Sequence, residues 1–137
     1  MDKNFFEYAP APESRALVSI KAQYGLFING AWVEPKTKDK FATINPANEE
    51  VLSKISQASD SDVDRAVKAA RAAYLKTWSK MPGKERGKYL FRIARIMQER
   101  AREFAVLETL DNGKPIRESR DVDVPLAAAH FFYHAGW

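Results

Sequence analysis

The spacing of hydrophobic residues in the middle of the chain predicts an amphipathic helix. Four of them follow one another at intervals of four, three and four residues, the repeat of one helical face: Val63, Val67, Ala70 and Tyr74. Ser59 precedes this run and Asp62 stands three residues later, which is the order of a capping box. The pattern therefore predicts a helix that begins just before Val63.

A second hydrophobic stripe changes its phase part of the way along. Its first part is Leu90, Ile93, Ala94, Met97 and Ala101, and its second part is Phe104, Leu107 and Leu110. A continuous helix keeps a repeat of 3.6 residues, so the shift predicts a break near residues 98–102 and two helices in place of one. A turn at residues 81–83 precedes them.

A strong stop signal follows the second stripe. Asn112 and Gly113 can leave the right-handed helical region, and Pro115 prevents the helix from resuming at once. We therefore expect a positive φ at Gly113.

The remaining sequence predicts a short helical turn and a last helix. The turn is expected over residues 116–121, and Pro125 suits the first position of the last helix, with Asp123 or Val124 near its cap. This helix is rich in aromatic residues and runs to Trp137 without a polar tail. Its apolar end has no visible cover, so we expect a boundary within a larger protein.

Strands and turns dominate the first half of the chain. Residues 1–23 predict a mostly irregular arm, whereas Asn29-Gly30 between β-forming residues predicts a tight type I′ hairpin. A looser turn at Pro46 joins two further strands. The whole pattern predicts an α/β fold with two β-hairpins and about four helices.

Composition limits the class of protein. The chain has 137 residues, and 22 basic residues interleaved with 18 acidic ones give a net charge of +4, which favours a solvated surface. The first residues do not have the pattern of a secretory signal, and no apolar run approaches the ~18 residues of a membrane span. The absence of cysteine excludes disulfides. We expect a cytoplasmic protein that does not contact a membrane.

Two groups of residues could be interpreted as ligand-binding sites, one for a metal and one for nucleic acid, but a structural role explains each more simply. His130 and His134 share a helical face at a separation that suits a metal, but no Glu follows the first His and no Cys is available, so packing or surface roles are favoured. The helix around residues 84–102 is basic, which would suit nucleic acid. Interleaved glutamates favour an ordinary solvated face there, and we expect no nucleic-acid partner.

Several stretches together resemble the N-terminal part of NAD(P)-dependent aldehyde dehydrogenases. They are LETLDNGKP at residues 107–115, FINGAW at 27–32, TINP at 43–46, DVDRAVKAAR at 62–71 and HFFYHAGW at 130–137. Their order and spacing match that family from about residue 24 to residue 137, about the first quarter of a family subunit. The resemblance implies that residues 24–137 are the N-terminal portion of the coenzyme-binding domain, and the irregular arm over residues 1–23 precedes it.

The resemblance also implies a reaction for the intact subunit. It would oxidise an aldehyde to a carboxylic acid with NAD or NADP, usually as a dimer or tetramer. In the family the nucleophilic cysteine, the general base and the coenzyme-binding unit lie C-terminal to this stretch. The chain has no cysteine and no Gly-x-Gly-x-x-Gly, so we expect it to bind no coenzyme alone. We expect it to have a structural role and to have the remainder of the subunit as its partner. A competing hypothesis is a stand-alone, non-catalytic interaction module.

Asp111 is a candidate ligand for a cation. It ends a helix beside the negative pole of the helix dipole, where an acid is unfavourable unless a positive charge compensates. The resemblance implies a structural sodium or potassium ion, which members of this family often hold between a carboxylate matching Asp111 and oxygens matching Thr43 and Ile44, with a further ligand from the part of the subunit beyond this chain. The alternatives are that Asp111 faces solvent or pairs with Lys114.

Overall fold

The computed structural model describes residues 13–137, so residues 1–12 of the predicted arm lie outside the described residues. Five strands form two small sheets. The strands are β1 (Gln23–Tyr24), β2 (Leu26–Ile28), β3 (Ala31–Val33), β4 (Lys40–Ile44) and β5 (Val51–Ser56). Both predicted hairpins are confirmed, since β2 pairs with β3 and β4 pairs with β5 in antiparallel fashion.

The first hairpin has the turn that its sequence predicts. Asn29 and Gly30 both have a positive φ, of 55° and 79°, the requirement of a type I′ turn. Phe27 stands opposite Trp32, and their rings meet edge to face with centroids 5.3 Å apart. Backbone sterics at two residues therefore fix this hairpin.

The end of the arm is more ordered than the sequence predicted. A 3-10 turn spans Arg15–Leu17, and β1 pairs in parallel with β5 in a sheet of order β1-β5-β4. Lys54 N–H also donates to the carbonyl of Ala22 at 3.1 Å, and Ser53 Oγ donates to the carbonyl of Lys21 at 2.8 Å. Pairing with a distant strand supplies these bonds, which no local signal could reveal.

The first long helix, α1 (Asp60–Lys76), begins with the predicted capping box. Asp62 N–H donates to Ser59 Oγ, and Ser59 N–H donates to the Asp62 carboxylate at 3.1 Å. The Asp62 carboxylate, which is buried, also accepts a bond from the N–H of Lys36 at 3.2 Å. The cap therefore also fastens the loop that precedes β4.

The predicted break between the next two helices is confirmed. Helix α2 (Gly83–Glu99) and helix α3 (Ala101–Asn112) meet at Arg100, whose φ of −107° and ψ of 19° are not helical. α3 ends at Gly113, which has the expected positive φ of 72°. Two helices separated by a single residue explain the change of phase in the hydrophobic stripe.

The start of the last helix follows the prediction to within one residue, since Asp123 stands at the N-cap and Pro125 in the first turn, but the chain before it is helical as well. Helix α4 (Ile116–Glu118) continues into a π-helical segment (Ser119–Asp123) and then into α5 (Val124–Ala135). Asp123 is itself helical and makes no side-chain cap. The N–H of Val124, the residue before Pro125, donates to the carbonyl of Ser119, five residues earlier in the chain. The missing N–H of Pro125 is tolerated in the first turn of α5, and the widened π-helical turn before it keeps the chain helical up to that point.

Most of the buried apolar core lies among the helices and consists of small side chains. α2 packs chiefly on α5, and the π-helical segment lies against α3. Five of the six buried apolar residues in the described part of the chain are alanine or valine on these helices: Ala94, Ala105, Val106, Val124 and Ala128. The sixth, Leu52, lies on β5. No helix within residues 13–137 combines the length and apolarity needed to cross a bilayer.

Candidate cation site

Two segments distant in sequence meet at the C-terminal end of α3. Thr43 lies on β4, and its hydroxyl donates a hydrogen bond to the carboxylate of Asp111 on the last turn of α3. The β4–β5 register shifts between Thr43 and Ile44, so an irregularity in the strand lies directly beside this contact. Thr43 and Asp111, two of the residues that the sequence predicted for a cation site, are therefore in contact, and Ile44 follows Thr43 on the same strand.

A second contact joins the same two elements. Gly113, just past the end of α3, faces the ring of Pro46, and a Cβ at this glycine would stand 2.6 Å from Pro46 Cγ. The N–H of Gly113 donates to the carbonyl of Thr109 at 2.9 Å, which closes the helix in the left-handed C-cap conformation. The close approach therefore requires glycine both for its φ and for its missing side chain.

The turn that carries Pro46 is held by a buried asparagine. Asn45 Oδ1 accepts from the N–H of Ala47 at 3.0 Å, while its own N–H donates to the carbonyl of Glu50 at 2.9 Å. The sequence analysis did not assign this role to Asn45. Its signal is the Asn-Pro dipeptide, because an asparagine side chain commonly bonds the backbone two residues on.

Lys114 is engaged away from Asp111. Its ammonium pairs with Asp123 and lies 4.0 Å from Glu108. The hydrogen bond with Asp123 is the main cause that raises the pKa of Lys114 above its ordinary value, although its partial burial opposes the charge. The alternative of an Asp111–Lys114 pair is therefore wrong, because the π-helical segment takes the lysine.

The arrangement offers oxygen donors of the kind that hard cations prefer. Thr43 supplies a hydroxyl and Asp111 a carboxylate, while Ile44 can contribute only its main-chain carbonyl. Within residues 13–137 there is no cluster of three or more His, Cys, Asp or Glu side chains that could hold a metal. A site here would therefore depend on one carboxylate together with neutral oxygens, which suits a single positive charge.

The two histidines lie on the helical surface with apolar neighbours. His130 and His134 line a groove of about 270 Å³ together with Leu90 and Phe131. The ring of His134 also meets Tyr133 edge to face, with centroids 5.2 Å apart. Leu90 and Phe131 have no side-chain oxygen or sulfur to offer a metal, which favours the packing interpretation.

Acidic partners accompany several of the basic side chains around residues 84–102. Three ion pairs join neighbouring turns at 2.8, 3.6 and 2.6 Å: Lys88 with Glu85, Arg95 with Glu99, and Arg100 with Glu103. Glu103 has a pKa below its ordinary value because Arg100 donates to it. Paired charges of alternating sign favour a solvated surface over a phosphate-binding stripe.

Comparisons with known proteins agree with one another. The model of the aldehyde dehydrogenase family matches residues 32–137. The chain is 44% identical over 113 residues to the DhaS protein of Bacillus subtilis (strain 168), an alignment that covers 82% of this chain. The alignment covers only 23% of DhaS, so the chain spans about a quarter of the length of such relatives.

Solved structures show the same fold. The NAD+ complex of an aldehyde dehydrogenase from Bacillus cereus superposes with a TM-score of 0.83 at 36% identity, covering 94% of this chain and 26% of that one. An NAD-dependent aldehyde dehydrogenase from Sinorhizobium meliloti gives 0.80 at 32% identity, with coverage of 94% and 26%. These matches confirm the α/β fold of two hairpins and four longer helices that the sequence predicted. The chain belongs to the aldehyde dehydrogenase family.

Proposed function

We propose that this chain is the N-terminal segment of a cytoplasmic aldehyde dehydrogenase that oxidises an aldehyde to a carboxylic acid with NAD or NADP. Residues 24–137 would form the first part of the coenzyme-binding domain, preceded by an arm over 1–23. The observation that carries the proposal is the likeness to the Bacillus cereus enzyme, which extends over 94% of this chain. In the intact protein we expect a dimer or tetramer.

Within that enzyme, the role of this segment is structural. The chain contains no cysteine, so a thiolate nucleophile must come from another part of the subunit. What the segment contributes is a shaped surface on which the rest of the subunit can fold. Positioning of this kind affects turnover even though no group of the segment attacks the substrate.

The exposed surface of the chain supports a packing role. Large apolar side chains are exposed among residues 13–137, including Leu126, Tyr133 and Trp137, the last of which is 87% exposed. Surface of this character is normally covered in the finished protein.

The cation site belongs to the same proposal. A sodium or potassium ion held by Asp111, Thr43 and Ile44 would neutralise the carboxylate beside the negative end of α3. It would also strengthen the joint between β4 and α3, because the ligands come from both elements. The ion would then act as a structural brace and would take no part in the reaction.

A chimera tests the function directly. The chain replaces the matching N-terminal quarter of DhaS, and the product, called here the DhaS chimera, is assayed for aldehyde-dependent reduction of NAD and NADP. We expect activity in the chimera and none in the isolated chain, which serves as the control. A chimera that does not fold or turn over would overturn the proposal.

A further inference from the structure

The last residues of the arm, 13–22, run along the fold as a strap that is fastened at both ends. At one end, the carbonyl of Lys21 accepts a hydrogen bond from Ser53 Oγ on β5 at 2.8 Å. At the other end, the carboxylate of Glu13 accepts a hydrogen bond from Arg120 Nη1 at 3.1 Å. Arg120 belongs to the π-helical segment and lies 107 positions further along the chain. The first end is therefore held by a neutral hydrogen bond and the second by an ion pair.

Packing contributes little to holding the strap in place. No residue of its 3-10 turn, Arg15–Leu17, is buried. A cavity of about 260 Å³ lies between the strap and α3, with Val18 and Ile20 on the side of the strap and Phe104 and Leu107 on the side of the helix. An unfilled space forfeits the contacts that would hold its two sides together. The attachment of the strap therefore depends mainly on its polar ties.

A second ion pair holds the strap between its ends, and it is more exposed to water than the first. Arg15 Nη1 lies 2.7 Å from the Glu50 carboxylate, and the two side chains are 57% and 54% exposed. The side chain of Glu13 is only 9% exposed, and that of Arg120 is 37% exposed. Salt screens exposed charges strongly and partly buried charges much less. The two pairs should therefore respond differently to ionic strength.

Arg120 has a charged partner whether or not the strap is in place. Its guanidinium also donates to both oxygens of Asp121, at 2.6 and 2.8 Å. Breaking an ion pair is costly chiefly when it leaves a buried charge without a partner. If the strap opened, Glu13 would return to water and Arg120 would keep Asp121. The strap can therefore open without leaving an unpaired charge behind.

We propose that the strap is an electrostatic latch with two ion pairs of unequal strength. The exposed Arg15–Glu50 pair opens as the ionic strength rises, whereas the Glu13–Arg120 pair keeps the strap over α3. Loss of the Glu13 charge releases the strap and opens the cavity to solvent. The latch goes beyond the proposed function, because both pairs join residues of this chain and need no group from elsewhere in a subunit.

Hydrogen–deuterium exchange followed by mass spectrometry tests the latch in the full chain and in the DhaS chimera. The N–H groups of Leu17 and Val18 donate to carbonyls within the strap at 3.0 and 3.1 Å, and they become free to exchange when the strap opens. Peptides from the first hairpin give an internal reference. Each protein is measured at about 0.01 M and about 1 M sodium chloride, where charges are screened over about 30 Å and about 3 Å.

Four variants separate the contributions of the two ion pairs. Glu50→Gln removes the exposed pair, and Glu49→Gln changes the neighbouring exposed carboxylate as its control. Glu13→Gln keeps the shape of the side chain but removes the charge that Arg120 meets. Its control is Glu118→Gln, which alters an exposed carboxylate directly before the π-helical segment.

High salt should speed exchange of the wild-type strap by roughly two- to fivefold, as expected for the loss of an exposed ion pair. Glu50→Gln should exchange at that faster rate even at low salt. Glu13→Gln should speed exchange by roughly tenfold at both salt concentrations, because a charge-assisted hydrogen bond is lost. The hairpin peptides and the two control variants should change by less than about twofold.

Equal exchange of the strap in Glu13→Gln and Glu118→Gln would overturn the latch. A wild-type strap that exchanges at the same rate in low and high salt would also overturn it, because the exposed pair would then contribute nothing. Acceleration of the hairpin together with the strap, in both the chain and the chimera, would overturn it in favour of unfolding of the whole segment. Aldehyde-dependent activity of the chimera in any of these cases would leave the proposed function standing.

Discussion

Thr43 and Asp111, 68 positions apart in the sequence, are joined by a hydrogen bond from the threonine hydroxyl to the carboxylate. The bond fastens the edge strand β4 to the last turn of α3. The contact of Pro46 with Gly113 reinforces the same junction. Predictions about this joint can therefore be tested by substitution on either side of it.

Replacement of Thr43 by Val should destabilise the DhaS chimera. The change keeps the shape of the side chain but removes the donor to a charged acceptor, a loss of about 1 kcal/mol at an exposed position, or ~2–4 °C in the unfolding midpoint. Thr37→Val is the matched control, because its hydroxyl reaches the Gln57 carbonyl only at 3.5 Å. Equal midpoints for the two variants in differential scanning calorimetry would contradict the prediction.

Sodium or potassium should stabilise the DhaS chimera beyond the general effect of salt. An ion at concentration c that binds only the folded state raises the free energy of unfolding by RT ln(1 + c/Kd), so the unfolding midpoint rises with the concentration of the ion. We expect higher midpoints in sodium or potassium chloride than in choline chloride of equal ionic strength. Asp111→Asn should remove this difference, whereas Asp64→Asn, which alters an exposed carboxylate of α1, should preserve it. A wild-type midpoint that is the same in choline would rule out the cation site.

Gly113→Ala should cost more stability than Gly30→Ala. Both glycines have a positive φ, which costs a residue with a Cβ about 1–2 kcal/mol. Only at Gly113 would the new Cβ also stand 2.6 Å from Pro46, whereas the space around Gly30 is open. Urea or thermal unfolding of the two variants measures the difference. Equal losses of stability in Gly113→Ala and Gly30→Ala would show that the close approach of Pro46 does not affect the free energy of unfolding.

Acid should weaken the start of α1. The pKa of Asp62 lies below its ordinary value, mainly because Ser59 donates a side-chain hydrogen bond to the carboxylate. Because its pKa is lower in the folded state, the Asp62 carboxylate contributes its full share of folding stability above the unfolded pKa of about 3.9. This stability is lost as the pH falls through the folded pKa.

Asp62→Asn should therefore lower the unfolding midpoint of the DhaS chimera at pH 7, and its deficit should shrink as the pH falls below about 4. Asp64→Asn provides the comparison, because Asp64 lies two residues further along the same helix and is exposed. A deficit for Asp62→Asn that stays constant from pH 7 to the acid limit would refute the prediction. Circular dichroism of each variant across that range gives the measurement.

Short-range sterics explain what the sequence determined by itself. The turn at Asn29-Gly30, the capping box at Ser59, the break at Arg100 and the left-handed cap at Gly113 all follow from the conformations that a few neighbouring residues can adopt. The family likewise follows from the order and spacing of local stretches. These features needed no knowledge of distant contacts.

Contacts between distant segments explain what only the tertiary structure decided. One example is the parallel pairing of β1 with β5, and another is the ion pair of Lys114 with Asp123. Backbone hydrogen bonds and ion pairs form with the groups that folding brings close, so the local sequence does not specify these partners. The π-helical segment that leads into Pro125 lies against α3, a contact that no local pattern of the sequence predicts. The hydrogen bond between Thr43 and Asp111 also depends on the tertiary structure. In the sequence each is an ordinary polar residue, and only the packing of β4 on α3 makes them neighbours.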